Sequence, residues 1–204
     1  MQFRKFFMTL ALVFIAFPAM AEGVSVGQQA PDFTLKSVNG EDVKLSDYRG
    51  KTVVLEWTNH ECPYVKKHYG TDNMQTLQQE VTADGGVWLT IVSSAPGHQG
   101  HTTAEEAKKI MMDAGSNETA RLLDPSGSVG KSYHAMTTPH MFIIDAEGTL
   151  VYQGAIDDNS SAMPETVDSA KNYVRAALAD LKAGNAVQMA ETKPYGCSVK
   201  YKMF

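Results

Sequence analysis

The chain has 204 residues, 43% hydrophobic and 20% charged, with a formal net charge of -5 and two cysteines. That length suits one domain with a real core, and an acidic chain lacking any basic stripe interleaved with aromatics is no natural partner for nucleic acid. Two cysteines are too few for a disulfide scaffold and enough for one redox pair.

The chain opens with a small basic region at Arg4-Lys5 and an almost wholly apolar run over residues 6–17. Pro18 and the small-x-small pattern Ala19-Met20-Ala21 follow. This predicts a secretory signal peptide over residues 1–21, cleaved after Ala21. The run is short for a hydrocarbon core about 30 Å thick, and nothing later is a membrane candidate. The rest reads as a domain over residues 22–184 and a C-terminal tail over residues 185–204. After cleavage the protein is expected to leave the membrane and reside outside the cytoplasm, in the bacterial periplasm.

Phe33-Thr34-Leu35-Lys36 and Asp42-Val43-Lys44-Leu45 alternate around the turn signal Asn39-Gly40, which predicts an N-terminal hairpin. Val53-Val54-Leu55-Glu56-Trp57 is a buried strand, and Thr58-Asn59-His60-Glu61 is a polar turn. Cys62-Pro63-Tyr64-Val65 then opens a helix, because proline is tolerated where its missing N–H is not needed. Gly70-Thr71-Asp72 interrupts that helix. Met74, Leu77 and Val81 resume a helical stripe that Gly85-Gly86 ends.

Residues 87–92 form a second buried strand, and Thr103-Ala104-Glu105-Glu106 has the spacing of a capping box for a helix ending near Gly115. Leu122-Leu123 is a short strand candidate. Val129-Gly130-Lys131-Ser132 looks like the end of a phosphate-binding loop, but Pro125 stands where the first glycine belongs. A turn and short helix are expected there. Residues 141–144 and 149–152 flank Asp145-Ala146-Glu147-Gly148 as an antiparallel hairpin. A last amphipathic helix is expected from Pro164 through Val167, Ala170, Val174, Ala177, Leu178 and Leu181 to Gly184. The tail shows no periodicity and carries Cys197 beside Gly196. The order β-α-β-α-β-β-α predicts an α/β protein of the thioredoxin fold. Its mixed sheet would be flanked by helices and extended by the N-terminal β-hairpin.

Cys62 is the residue these elements frame. At a helix N-terminus, unpaired backbone N–H groups and the positive end of the helix dipole face its sulfur. Such a site favours the thiolate, which is the nucleophile. The adjoining polar turn argues that this thiol is open to solvent.

Three stretches together resemble the thioredoxin-like redoxins, the superfamily of thiol–disulfide oxidoreductases and peroxiredoxins of the alkyl hydroperoxide reductase/thiol-specific antioxidant type. They are Gly27-Gln28-Gln29-Ala30-Pro31-Asp32-Phe33-Thr34-Leu35, Glu56 through Val65, and Thr137-Thr138-Pro139-His140-Met141-Phe142-Ile143-Ile144-Asp145. The resemblance covers roughly residues 25–185. Two departures qualify it. Val65 stands where dithiol thioredoxins carry a second cysteine. Leu55 and Asn59 stand where peroxiredoxins carry proline and threonine. A single-cysteine, peroxiredoxin-like branch of the redoxins is the nearest match, and it shares the tail Gly196-Cys197-Ser198.

The resemblance implies an exported thiol–disulfide oxidoreductase. Cys62 is the expected nucleophile, and Glu56 is the buried acid expected to handle protons, its pKa raised by desolvation. Pro139 is expected to be cis, with Thr138 before it pairing with an extended substrate strand. Trp57 and Tyr64 are expected to wall the site. Two readings of Cys197 stand open: a resolving thiol delivered by a flexible tail, or a structural disulfide. His60 flanks the nucleophile, whereas His68 is expected as a loose surface histidine. No organic cofactor is implied, since sulfur carries the electrons. The partners implied are protein or small-molecule thiols and disulfides, with a reductase. The alternatives are a thiol peroxidase and a copper-binding or chaperone redoxin using His60, His98 and His101.

Overall fold

The computed structural model describes residues 23–202, so the leader expected over residues 1–21 lies outside the described residues. The elements are β1 (Thr34–Ser37), β2 (Asp42–Lys44), β3 (Val53–Trp57), α1 (Pro63–Gly70), α2 (Asn73–Ala83), β4 (Val87–Val92) and α3 (Ala104–Asp113). There follow β5 (Ala120–Leu123), α4 (Ser128–Ser132), β6 (Thr137–Thr138), β7 (His140–Ile144), β8 (Leu150–Gly154), α5 (Tyr173–Lys182) and β9 (Cys197–Ser198). The seven-stranded sheet runs β2-β1-β5-β4-β3-β7-β8, with β6 and β9 as a separate pair. This is the mixed, helix-flanked α/β sheet with an N-terminal hairpin that the chain order predicts. The hairpin is part of the sheet: Lys36 and Ser37 of β1 pair with Leu123 and Leu122 of β5.

β3 lies between parallel β4 and antiparallel β7 and is buried along its whole length. A strand covered on both faces has no need to alternate apolar with polar, which is why its sequence reads as a continuous run. Its side chains still alternate between faces. Val53, Leu55 and Trp57 join Leu89, Ile91, Leu122 and Phe142 in one core. Val54 joins Trp88, Met141 and Ile143 in the other, beneath Met74, Leu77 and Val81 of α2 and Val174 and Ala177 of α5.

The interruption expected at residues 70–72 separates α1 from α2, with Asp72 in the left-handed region at φ 56°. Thr103 caps α3 through the full capping box with Glu106. The decoy phosphate loop is the short α4. The last helix starts later than its sequence suggests. Pro164 opens only a 3-10 turn, Pro164–Thr166, and α5 begins after Asn172, whose side chain accepts from Arg175 N–H at 2.9 Å. Between them the chain runs through tight turns, Val167 N–H donating to Pro164 O and Ala170 N–H to Val167 O, and is tied back where Asp158 N–H donates to Lys171 O and Lys171 N–H to the Asp158 carboxylate at 2.9 Å. Among the described residues no helix is long and apolar enough to cross a membrane.

The tail is not the loose segment its composition suggests. Gln153 N–H donates to Ala190 O, Thr192 N–H to Gln153 O, and Ala155 N–H to the Thr192 hydroxyl. Farther on, Val199 N–H donates to Met136 O, Ala95 N–H to Lys200 O, and the Tyr201 hydroxyl to Ala135 O at 2.7 Å. Short sequence-distant pairings of this kind leave no periodic signature.

Candidate functional site

The turn from β3 into α1 is built by its own side chains. Asn59, almost fully buried, accepts from Glu61 N–H at 2.9 Å through its amide oxygen, and its carbonyl accepts from Cys62 N–H at 3.0 Å. Gly100 packs against the Asn59 amide so closely that a Cβ there would lie 2.3 Å from its oxygen, and Gly100 N–H donates to Glu61. This fixes Cys62 as the N-cap of α1, with Pro63 in the first turn.

The Thr138–Pro139 peptide is cis, as the sequence led us to expect. The Thr138 carbonyl faces the nucleophile position, and Cys62 Sγ donates to it at 3.1 Å. The outer edge of Thr138, expected to receive a substrate strand, is occupied by this chain's own tail. β9 pairs antiparallel with β6, Thr138 opposite Cys197 and Thr137 opposite Ser198. Gly196 makes the approach possible: at φ 137°, any Cβ would meet the Thr138 carbonyl oxygen at 2.1 Å.

Cys62 and Cys197 are thereby brought together as free thiols. Burial alone would push the Cys62 thiol up. Hydrogen bonds from the Cys197 thiol, the N–H groups of Val65 and Cys197, and Thr138 outweigh it and bring Cys62 below its ordinary value. Cys197 moves the opposite way, raised by burial and by its place as donor beside the Cys62 charge. The two thiols are thus shifted in opposite directions, Cys62 toward the thiolate and Cys197 away from it.

Three expectations are corrected here. Cys62 is fully buried rather than open, because β9 lies over it. Trp57 does not wall the site. It is core, donating its indole N–H to Ser93 at 3.0 Å and packing against Tyr133 and Phe142. His68, expected at the surface, is fully buried. Tyr64 is half-buried and packs against Tyr195 of the tail, ring centroids 5.8 Å apart.

Glu56 lies on the opposite face of β3 from Trp57, in a buried polar network. It accepts from the Tyr69 hydroxyl at 3.1 Å and from the Trp88 indole at 3.0 Å. Desolvation, with the Glu118 charge nearby and Arg121 opposing, raises it to about 7. Arg121 and Glu118 form a buried pair at 2.7 Å beside it, and Thr90 bridges toward Glu118 at 3.1 Å. A cleft of about 530 Å³ lined by Thr58, His60, Tyr69 and Arg121 leads to this network from outside. Sequence reading found Glu56 but missed Tyr69, which reaches it from α1, and Glu118 and Arg121, which reach it from the loop before β5 and from β5 itself.

Lys67, Asp157 and Tyr195 were missed as well. They form a second buried cluster with His68 under the tail. The only sequence signal was the i, i+4 pair Tyr64 and His68 on one helix face, which polar residues disguise as a solvated surface. Among the described residues no three His, Cys, Asp or Glu side chains gather as a metal site requires. His98 and His101 lie near the backbone carbonyls of Pro96 and Ser94.

The AhpC/TSA family matches residues 26–153. The chain is similar to the thioredoxin-like protein YneN of Bacillus subtilis (strain 168), 29% identical over 128 residues, 63% of this chain and 70% of that protein. It is also similar to the thiol-disulfide oxidoreductase ResA of the same organism, 28% identical over 130 residues, 64% of this chain and 67% of that one. A solved structure of an uncharacterized conserved protein from Geobacillus kaustophilus superposes with TM-score 0.76 at 29% identity. It covers 93% of this chain and 100% of that one.

Proposed function

The chain belongs to the AhpC/TSA family, and from that premise we propose that its thiol–disulfide exchange runs on Cys62 as nucleophile and Cys197 as resolving thiol. One observation carries the reading: β9 sets Cys197 opposite Thr138, whose carbonyl already receives the Cys62 thiol. A tail that served only as a clamp would have no reason to carry its cysteine opposite the very residue whose carbonyl faces Cys62.

The Cys62 thiolate attacks one sulfur of a substrate disulfide, forming a mixed disulfide and releasing the other substrate sulfur as a thiolate. Cys197 gives up its proton and attacks the Cys62 sulfur, and the second substrate thiolate leaves. The substrate has gained two electrons, and the protein holds a Cys62–Cys197 disulfide that a reductase-type dithiol reopens. All steps run equally in reverse. Because β9 covers Cys62, attack on an external disulfide requires β9 to part from β6. Thr138 then offers the freed edge to an extended substrate, beside Pro139 and Tyr64. Glu56, poised near neutrality in its buried network, is the group we assign to proton exchange beneath the site.

The finer family placement, a single-cysteine peroxiredoxin-like branch, rests on Val65 in place of the second cysteine. Peroxide chemistry has less support, since Asn59 stands where peroxiredoxins carry threonine. Export to the periplasm rests on the leader sequence over residues 1–21.

The test is disulfide exchange by the mature protein and two variants. Cys62→Ser should lose turnover entirely, and Cys197→Ser should accumulate mixed disulfides on Cys62. Undiminished turnover by Cys62→Ser would end the proposal.

A further inference from the structure

Lys67, His68 and Asp157 lie buried beneath the tail, and the exchange chemistry uses none of them. The side chains of Lys67 and His68 are fully buried, and that of Asp157 is 2% exposed. Lys67 Nζ lies 3.7 Å from Asp157 and donates to the carbonyls of Asn159 at 2.9 Å and Ser161 at 3.0 Å. Removing such a charge pair from water is expensive, and apolar replacements often serve stability as well. Bulk stability is therefore a poor reason for this cluster.

What stands on the cluster is Tyr195. The Asn73 amide donates to His68 Nδ1 at 2.9 Å, so the proton of the neutral ring sits on Nε2 and points to the Tyr195 oxygen 3.1 Å away. Burial keeps that ring neutral, its pKa pushed down to about 3. The Tyr195 hydroxyl in turn donates to Asp157. Lys67 Nζ lies over the Tyr195 ring, 5.5 Å from its centroid, and the Tyr64 ring packs on it as well.

Two residues beyond Tyr195 is Cys197, and the link between them is Gly196 pressed against the Thr138 carbonyl. That link has little slack. Two of the gripping residues, Lys67 and His68, ride on α1, whose N-cap is Cys62 itself. One eight-residue helix thus carries the nucleophile at its start and the tail's anchor point within two turns.

We infer that Tyr195, gripped by the buried Lys67–His68–Asp157 cluster, is the positioning residue that sets the Cys197 sulfur against Cys62. The inference rests on the Cys62–Cys197 reading but is tested without any exchange substrate. Tyr195→Phe keeps the ring and removes the hydroxyl that joins His68 to Asp157. With Cys197 loosened, Cys62 loses a hydrogen-bond donor. Its titration, followed by ultraviolet absorbance of the thiolate, should move up by about one pH unit, a tenfold drop in the thiolate-to-thiol ratio. In a Cys197→Ala background the same substitution should leave the Cys62 titration where it was. If Tyr195→Phe does not fold, Asp157→Asn carries the same comparison. A folded variant with an unmoved Cys62 titration overturns the inference, as does an equal shift with and without Cys197. Either result, with Cys62-dependent exchange intact, removes the positioning role alone. Exchange that survives Cys62→Ser removes the underlying reading instead.

Discussion

At Glu56, burial raises a carboxyl of ordinary value 4.5 to about 7, which ties folding to pH. The folded state holds this proton more tightly than the unfolded chain does, so stability falls as pH rises between those values. The contribution is fully present below about 4.5, is lost as pH passes through about 7, and amounts to about 3 kcal/mol. Glu56→Gln keeps the shape and removes the titration. Urea unfolding across that range should show a flatter stability curve for the variant. A slope as steep as the unchanged protein's would assign the proton to another group. At this scale the sequence was legible where backbone chemistry dictates the role. Proline after Cys62 sets a helix start, and a lone acid in an apolar strand has to be buried. It was illegible where burial is decided from outside the element. Trp57 and His68 owe their positions to neighbours far along the chain, and the covering of Cys62 comes from residues 135 positions later.

Elements defined by local signals stand where the sequence places them. The β1–β2 turn at Asn39-Gly40, the break at Asp72 and the Thr103 capping box each depend on a few adjacent residues. The start of α5 shows the limit of such signals. Pro164 is a valid helix opener, yet the chain breaks into tight turns and is pinned by the pairing of Asp158 with Lys171, so a regular helix starts only after Asn172. β9 is a two-residue strand, too short for any pattern, and its partner β6 is equally short. Its dependence on Gly196 gives a prediction. Gly196→Ala puts a methyl group against the Thr138 carbonyl at a φ that side chains avoid, and strain there is about 1–3 kcal/mol. Converted to population, that opens β9 roughly 5- to 140-fold more often, since each 1.4 kcal/mol is a factor of ten. Alkylation of Cys62 by iodoacetamide, followed by mass spectrometry, should accelerate accordingly. An unchanged rate would mean that β9 is not what shields the thiol.

On the scale of the whole molecule, a sheet built around β3 carries Cys62 at one end, and the tail returns over it. The sheet order follows from alternating strands and helices, and those are visible in the hydrophobic pattern. The path of the tail is not, because its anchors at Tyr152, Asp157, Thr138, Met136 and Ala95 come from separate parts of the chain. That path turns a one-cysteine helix start into a two-cysteine site. Equilibrating the mature protein across glutathione redox buffers, alkylating the remaining thiols and weighing the products tests this most directly. The account predicts that both thiols disappear together in one two-electron transition, leaving an internal Cys62–Cys197 disulfide. Separate glutathione adducts on Cys62 and Cys197, with no internal bond at any poise, would contradict it.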